Sequence, residues 1–525
     1  MHRKAENPTM RKIPLYKEKE KQLYVRFFEI VLIIVIICAI YTEFNPFEIF
    51  MNAEYFWSFI MEDFLPPVMP DVLSTLSSIA TTVAMAISAT TVGGILALFV
   101  SLFGSEYISP YKGVAKIVRG FATFLRNIPT LVWAFILFSS LGIGTGVGFM
   151  ALVITSFAFL VRAFIETMDE ISTDCVESLE AVGASFWQRV FHGIWPSCIP
   201  GYLSWFLYNL EVNIRASTIV GMVGGGGIGM VLFSYLKSFK YHRAAGIILA
   251  IAIMVIIVEL LTNRLRKKME KLEDYFVSYF FFGIGILTLI SFFFLDIEWG
   301  KLFTRLPEIP LIFAKLFMFK FDKMDLILEA FLETVSVAVL STFLGILFGL
   351  FFGIFAANNV LRMKGLPTFV KAFFSFIRAV PTLVWVLLML VCLGFGPAAG
   401  IVGLCIHTTA FFTRSFAQSF EDVSDEVIEA LEVTGAGKMQ IFFNAILSSS
   451  LSQIIAWIGM RFEINFAECA ILGMVGAGGI GFMIQNNIQS YEYGTAGVAI
   501  VMVFLFAYLI ERVFCEIKRT LAKND

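Results

Sequence analysis

The fold class this sequence predicts is an all-α, polytopic membrane chain of about twelve transmembrane helices in two parallel six-helix repeats. Three observations carry it. Hydrophobic residues make up 58% of the 525 and charged residues 15%, with a mean hydropathy of +0.83, the composition of a chain dissolved mainly in lipid. The apolar residues fall into runs of roughly the 20 residues that a helix needs to cross a hydrocarbon layer of about 30 Å. Residues 82–241 are followed, 252 positions later, by a second copy of the same pattern with no insertion. The chain therefore reads as two like halves.

Taken in order, residues 1–26 form a basic segment, residues 27–270 a first repeat with its core at 75–264, and residues 271–525 a second with its core at 327–516. The first repeat offers spans at 26–42, 76–103, 115–141, 147–168, 196–214 and 244–264, the second at 276–295, 330–356, 367–393, 399–419, 446–466 and 494–514. Six is an even number, so both halves enter from the same side, as parallel repeats do. Arg3, Lys4, Arg11, Lys12, Lys17, Lys19, Lys21 and Arg26 precede the first span, and the loop after it carries acidic residues only. By the positive-inside rule both termini are expected in the cytoplasm of a prokaryotic cell, with this chain multi-pass in the plasma membrane. The first apolar run lacks an A-x-A cleavage site and is expected to be retained. Arg215 to Arg243 breaks the parity and is expected to be a re-entrant or outer-surface segment.

A net charge of -2 leaves no basic surface for nucleic acid. Seven scattered cysteines and four histidines show neither a disulfide framework nor ligand spacing, so no metal site is expected. His407 lies in an apolar run, where hydrogen-bonded packing is the expectation and proton relay the alternative. A phosphate-cradling loop needs GxxxxGK[ST]. The nearest candidate, Gly437-Lys438-Met439, has Glu432 where the first glycine belongs and methionine where the hydroxyl belongs. The chain is accordingly expected to be no enzyme and to bind no cofactor itself.

Between the fourth and fifth spans of each half lies an acidic loop with helical periodicity, Asp174-Cys-Val-Glu-Ser-Leu-Glu-Ala-Val-Gly183 and Glu426-Val-Ile-Glu-Ala-Leu-Glu-Val-Thr-Gly435. Each encodes a short amphipathic helix ended by glycine. Here the chain resembles the ABC-importer permease family, whose EAA loop reads Glu-Ala-Ala, three residues, Gly, then a proline about thirteen further on. Glu177, Glu180, Ala181 and Gly183, with Pro196 beyond, fit that frame, as do Glu429, Ala430, Glu432 and Gly435. Ser178, Leu179 and Leu431 depart from it, and Ser448 stands where the second proline should be, which puts the helix that follows in question. The resemblance implies that the two loops dock on two cytoplasmic ATPase subunits, which hold ATP and Mg, and that an extracytoplasmic substrate-binding protein delivers the solute.

Two further stretches are duplicated. Phe124-Leu-Arg-Asn-Ile-Pro-Thr-Leu-Val-Trp133 matches Phe376-Ile-Arg-Ala-Val-Pro-Thr-Leu-Val-Trp385 at seven of ten positions. Glu211 to Gly229 matches Glu463 to Gly481, including Met-Val-Gly-x-Gly-Gly-Ile-Gly. Together these are similar to the phosphonate-type branch of the family, which imports phosphonates, phosphate or phosphite-like oxyanions, with two permease units fused in one chain. Methionine or another small polar solute is the alternative within the class, and a secondary transporter the alternative outside it.

Pro129 and Pro381 each remove a backbone hydrogen bond and bend the third span, giving a helix that lines a cavity, with Trp133 and Trp385 beside it. Gly224, Gly226, Gly227 and Gly229, and Gly476, Gly478, Gly479 and Gly481, predict an unwound turn. Its amides would suit an oxyanion. Close helix packing or gating are the alternatives. Arg126 and Arg378, at matching positions, either face a central anion or snorkel to the headgroups. Glu211 and Arg215 have the spacing of a helical ion pair, next to Asn213; in the second half Ala467 replaces the arginine, leaving Glu463, next to Asn465, to find another partner.

Overall fold

The computed structural model describes residues 18–522 except positions 52, 106, 107, 110, 172, 270–273, 362 and 364. Most of the basic amino-terminal segment lies outside the described residues. Within them every regular element is helical. The first repeat comprises α1 (Glu18–Tyr41), α2 (Val72–Ser101), α3 (Lys112–Arg126), α4 (Thr130–Leu141), α5 (Thr145–Ile171), α6 (Thr173–Ala181), α7 (Trp195–Val220), α8 (Gly227–Lys237) and α9 (Tyr241–Met269). The second repeats them in order as α10 (Asp274–Phe294), α11 (Met324–Ala356), α12 (Leu366–Ala379), α13 (Thr382–Leu393), α14 (Pro397–Glu421), α15 (Asp425–Val433), α16 (Leu447–Leu472), α17 (Gly479–Gln489) and α18 (Tyr493–Ala522). Shorter helical pieces join them.

By length and composition, seven helices can cross a membrane singly, and three bent pairs bring the total to ten. The two other expected spans are α1, whose apolar part is only Glu29–Tyr41, and α14, which carries His407, Arg414 and several hydroxyl residues. The third span of each half is a break rather than a bend, since α3 meets α4 at 85° and α12 meets α13 at 84°. The physical cause is shared. Pro129 has no N–H to give the Leu125 carbonyl and Pro381 none for Ile377, so the helix ends. Trp133 Nε1 donates to the Leu125 oxygen at 3.3 Å and Trp385 Nε1 to the Ile377 oxygen at 3.1 Å, and the indole four residues after the proline replaces the missing amide.

Each repeat is built around α2 against α5, or α11 against α14, the most extensive helix pairs. Small residues allow the approach. A Cβ on Gly93 would come within 2.7 Å of the Ser156 Cβ, and one on Gly345 within 2.5 Å of Thr408 Cγ2. The third member of each core is tied in by an asparagine. Asn213 on α7 donates to Thr90 Oγ1 at 2.7 Å and Ser156 Oγ at 2.6 Å. Asn465 on α16 donates to Thr342 Oγ1 at 2.8 Å and accepts from Thr408 Oγ1 at 3.1 Å. Both asparagines are buried, and each joins three helices.

The first helices are exchanged. α10 packs on α2 of the first repeat, and α1 packs on α11 of the second. Thr288 on α10 donates to Thr91 at 2.9 Å, and the Tyr41 hydroxyl to the Glu329 carbonyl at 3.1 Å. Each half thus holds a helix of the other.

Candidate functional site

Charge inside membrane-spanning segments is costly and points to function, and it gathers where the repeats meet. Arg378, at the end of α12, donates to Glu259 Oε1 of α9 at 2.7 Å, and Arg414 of α14 reaches the same oxygen at 3.2 Å. The mirror image exists on the other side. Glu511 of α18 lies 3.9 Å from Arg126 and 3.6 Å from Arg162, and Asn127 donates to it at 3.3 Å. Each carboxylate belongs to one repeat and its arginines to the other, so both of these ionic ties cross the seam. The two arginines singled out from sequence thus lie on opposite sides of the seam rather than together. Each is bound to a carboxylate of the opposite half.

Around these ties the halves differ. Glu211 accepts from Arg215 at 3.0 Å, the helical pair expected from spacing, and also from Arg266 of α9 at 3.3 Å. Glu463, with alanine at 467, instead meets Arg126 across the seam at 3.4 Å. Arg162 also keeps its local pair with Glu166 at 3.3 Å.

A second polar group lies deeper, in the second repeat alone. Arg461 of α16 is 3% exposed. Its Nη2 donates to Glu468 Oε2 and His407 Nδ1, both at 3.0 Å, and its guanidinium lies 5.5 Å from the Phe411 ring centre. A guanidinium can only donate, so His407 accepts through Nδ1. Glu468 in turn accepts from the Thr382 hydroxyl at 3.2 Å, tying α16 to the start of α13. In the first repeat these positions are Asn209, Thr155 and Ala216. Sequence reasoning missed Arg461, although a lone arginine within an apolar run was signal enough.

The glycine turns unwind as expected. Gly224, Gly226 and Gly227 have φ of 115°, 82° and 70°, and Gly476, Gly478 and Gly479 have 116°, 81° and 76°, values that favour glycine. Beyond them, a Cβ on Gly229 would strike the Thr218 carbonyl oxygen, and one on Gly481 that of Ala470, so these two pack helix on helix. The amides at the start of the next helices are engaged from within the chain. Ile228 and Ile480 donate to the Thr82 and Thr334 hydroxyls, both at 2.8 Å, and Gly479 to Glu333 Oε2 at 2.9 Å. A protein carboxylate occupies the place that an oxyanion was expected to take in the second turn. A cleft of about 260 Å³ adjoins that turn, lined by Met474, Gly476, Phe482, Gln485, Asn486 and Gln489. From α7 to α8 the chain bends by 58°, so the segment that broke the parity is a helix, a break and a second helix.

The loops with the EAA-like pattern are helices α6 and α15. Each ends in a glycine at φ of 77° or 78°. Gly183 donates to Glu180 and Ala184 to Leu179, and Gly435 to Glu432 and Ala436 to Leu431, the paired bonds of a Schellman motif. Glu177, Glu180, Ala181, Glu429, Ala430 and Glu432 are all exposed. Apolar side chains stand open beside them, with Val182 79%, Trp187 55%, Phe191 59%, Val433 88%, Met439 64% and Phe443 55% exposed. Ser448 in place of proline leaves the next helix unchanged, since α7 and α16 both run 26 residues from the same kind of wide turn.

The fold and the seam define a membrane transport subunit made of two like units. The model of the binding-protein-dependent transport system inner membrane component family matches residues 89–274 and 349–514, well over half of the chain, and the chain belongs to that family. A phosphate-import permease protein of Mycolicibacterium smegmatis, PhnE, is 27% identical over 86% of this chain and 87% of its own length. A phosphite transport system permease protein of Stutzerimonas stutzeri, PtxC, is 31% identical over 39% of this chain and 74% of its own. A solved methionine ABC transporter chain in inward-facing form aligns with 38% of this chain and 96% of its own, at 24% identity and a TM-score of 0.34.

Proposed function

We propose that this chain is the membrane-spanning permease of an ATP-driven importer of phosphorus oxyanions, such as phosphate, phosphite or phosphonates. The observation that carries this reading is the likeness, along nearly the whole length of both chains, to a phosphate-import permease, joined by the likeness of one repeat to a phosphite permease. Two cytoplasmic ATPase subunits, which hold ATP and Mg, dock on α6 and α15. The exposed apolar side chains on and beside these helices, with their paired glycine stops, supply two equivalent handles. An extracytoplasmic binding protein delivers the solute, both termini lie in the cytoplasm, and the chain itself binds no cofactor.

Alternating access follows from the architecture. ATPase closure pulls α6 and α15 together, the two repeats rock, and the seam opens on one side as it closes on the other. The ionic ties at Glu259 and Glu511 hold one of these states and break in the other. Two discrete packings, each biased by a ligand, are all that such a cycle needs.

The test is to purify the chain with whatever binds it, identify an ATPase, and measure which solute, presented with its binding protein, stimulates hydrolysis. Stimulation by phosphate, phosphite or a phosphonate is expected. Stimulation by methionine alone would move the substrate to another class. Uptake driven by a proton or sodium gradient without an ATPase would overturn the reading.

A further inference from the structure

We propose that the arginine cluster formed by Arg215 and Arg266 of the first repeat with Arg378 and Arg414 of the second is the seat of the translocated phosphorus oxyanion. Its mirror image around Arg126 and Arg162 is then a tie that seats none. The inference rests on the oxyanion reading above and adds where, and on which side of the pseudo-twofold seam, the anion is held.

The two clusters share one plan and differ in charge. On both sides a carboxylate, Glu259 or Glu511, takes two arginines from the opposite repeat. Around Arg126 and Arg162 the described side chains supply Glu511, Glu463 and Glu166 as partners, so cation is matched by carboxylate. Around Arg378 and Arg414 the balance is different. Glu211 is engaged by Arg215 and Arg266, and Arg266 follows Glu259 by about two turns on the same face of α9, so α9 carries both groups. Four guanidinium groups there share two carboxylates.

A surplus of cation inside membrane-spanning segments is costly unless something neutralises it. The donors left over say what would do so. Arg266 Nε is buried and has no hydrogen-bond partner. Arg378 and Arg414 converge on one oxygen of Glu259, and Arg414 also reaches the Ser375 hydroxyl at 3.5 Å. A guanidinium fork matches two oxygens of one phosphorus centre, and a doubly charged oxyanion would balance the excess. The position also fits. α7 and α9 come from one repeat and α12 and α14 from the other, so the seat lies where the repeats part.

Phosphorus–oxygen anions reach a membrane protein from two sources, free in solution or on a lipid headgroup, and the test separates them. The complete transporter in nanodiscs of phosphatidylcholine alone is titrated with radiolabelled inorganic phosphate, with methylphosphonate as competitor. Arg414 and Arg162 occupy mirror positions, so Arg414→Gln and Arg162→Gln are a matched pair. Losing one charge-assisted contact predicts phosphate binding weakened at least about tenfold by Arg414→Gln or Arg215→Gln, and several-fold less by Arg162→Gln, which loosens a seam tie without touching the seat. Thermal melting of each variant excludes misfolding, and Arg414→Lys, which keeps the charge but not the fork, is expected to recover part of the binding.

Equal effects of Arg414→Gln and Arg162→Gln, or none from either, would overturn the seat while leaving the importer reading intact. Phosphatidylglycerol that copurifies with the wild type and is lost in Arg414→Gln, with no phosphate bound in phosphatidylcholine discs, would give the cluster to a lipid and also overturn it. If the wild-type system imports another solute and no phosphorus oxyanion, the functional reading fails first.

Discussion

Replacing Glu259 by glutamine tests whether the ionic ties hold the seam. The carboxylate is 15% exposed and accepts from Arg378, 22% exposed, at 2.7 Å and from Arg414, 43% exposed, at 3.2 Å. A hydrogen bond to a charged group contributes about 1.5–3 kcal/mol, and partial solvent screening at Arg414 reduces its share to under about 1 kcal/mol. Glutamine keeps the shape and one acceptor, so the closed seam should lose about 2 kcal/mol, a factor of about 30 in its ratio to the open one. Spin labels on α9 and α12, read by pulsed dipolar spectroscopy, report that ratio directly. Glu259→Gln and Glu511→Gln are each expected to broaden the distance distribution toward longer separations, and the double variant to do so more. Glu259→Asp should restore part of the closed population. Unchanged distributions in both single variants, with the protein still folded, would refute the idea that these pairs govern the seam.

Three further outcomes follow from the geometry. Asn465→Leu removes two buried hydrogen bonds that join α16 to α11 and α14 and should lower thermal stability in detergent by about 1–3 kcal/mol; Asn213→Leu should match it in the first repeat, and a large difference between the two would deny the shared role. Trp385→Phe leaves the Ile377 carbonyl without its substitute donor and should cost about 1–3 kcal/mol, visible as faster amide exchange at the α12–α13 break. Gly183→Asp with Gly435→Asp places side chains at φ of 77° and 78°, where a Cβ meets nothing within 4 Å but strains the backbone by about 1–2 kcal/mol per site. Coupled ATP hydrolysis should fall sharply while the membrane helices keep their melting temperature, and coupling that survived the pair would remove α6 and α15 as handles.

What could be read from the sequence was local or repetitive. The 252-residue offset gave two like halves, proline marked the break in the third span, glycine marked the turns and helix stops, and the four-residue spacing gave the Glu211–Arg215 pair. What could not be read was set by distance along the chain. Arg126 and Glu463 are 337 positions apart, and Arg378 and Glu259 are 119 apart; periodicity says only that each lies in a span, not which helix faces it. In the sequence Trp133 and Trp385 read only as neighbours of a bent helix. Their indoles stand in for the amide donor that proline lacks. Asn213 and Asn465 lie two residues from Glu211 and Glu463 in sequence yet turn inward to threonine and serine, since a buried amide must find partners. Duplication likewise cannot say that α1 and α10 change sides.

Fusion of the two units makes that inequality possible. In a pair of identical chains, Arg215 would appear on both sides of the seam, and so would Arg461 with Glu468 and His407. Here Arg215 stands in the first repeat only and the Arg461 group in the second only. In this chain α1 and α10 cross to the opposite half, so the pairing of halves is built into the packing. Once the halves are permanently unlike, charge can be surplus on one side and balanced on the other without being doubled. On the proposed cycle, the shared elements, namely the proline breaks, the tryptophan donors, the asparagine ties and the glycine turns, belong to a motion that both halves make alike, and the unshared charges to the proposed seating of one anion per cycle.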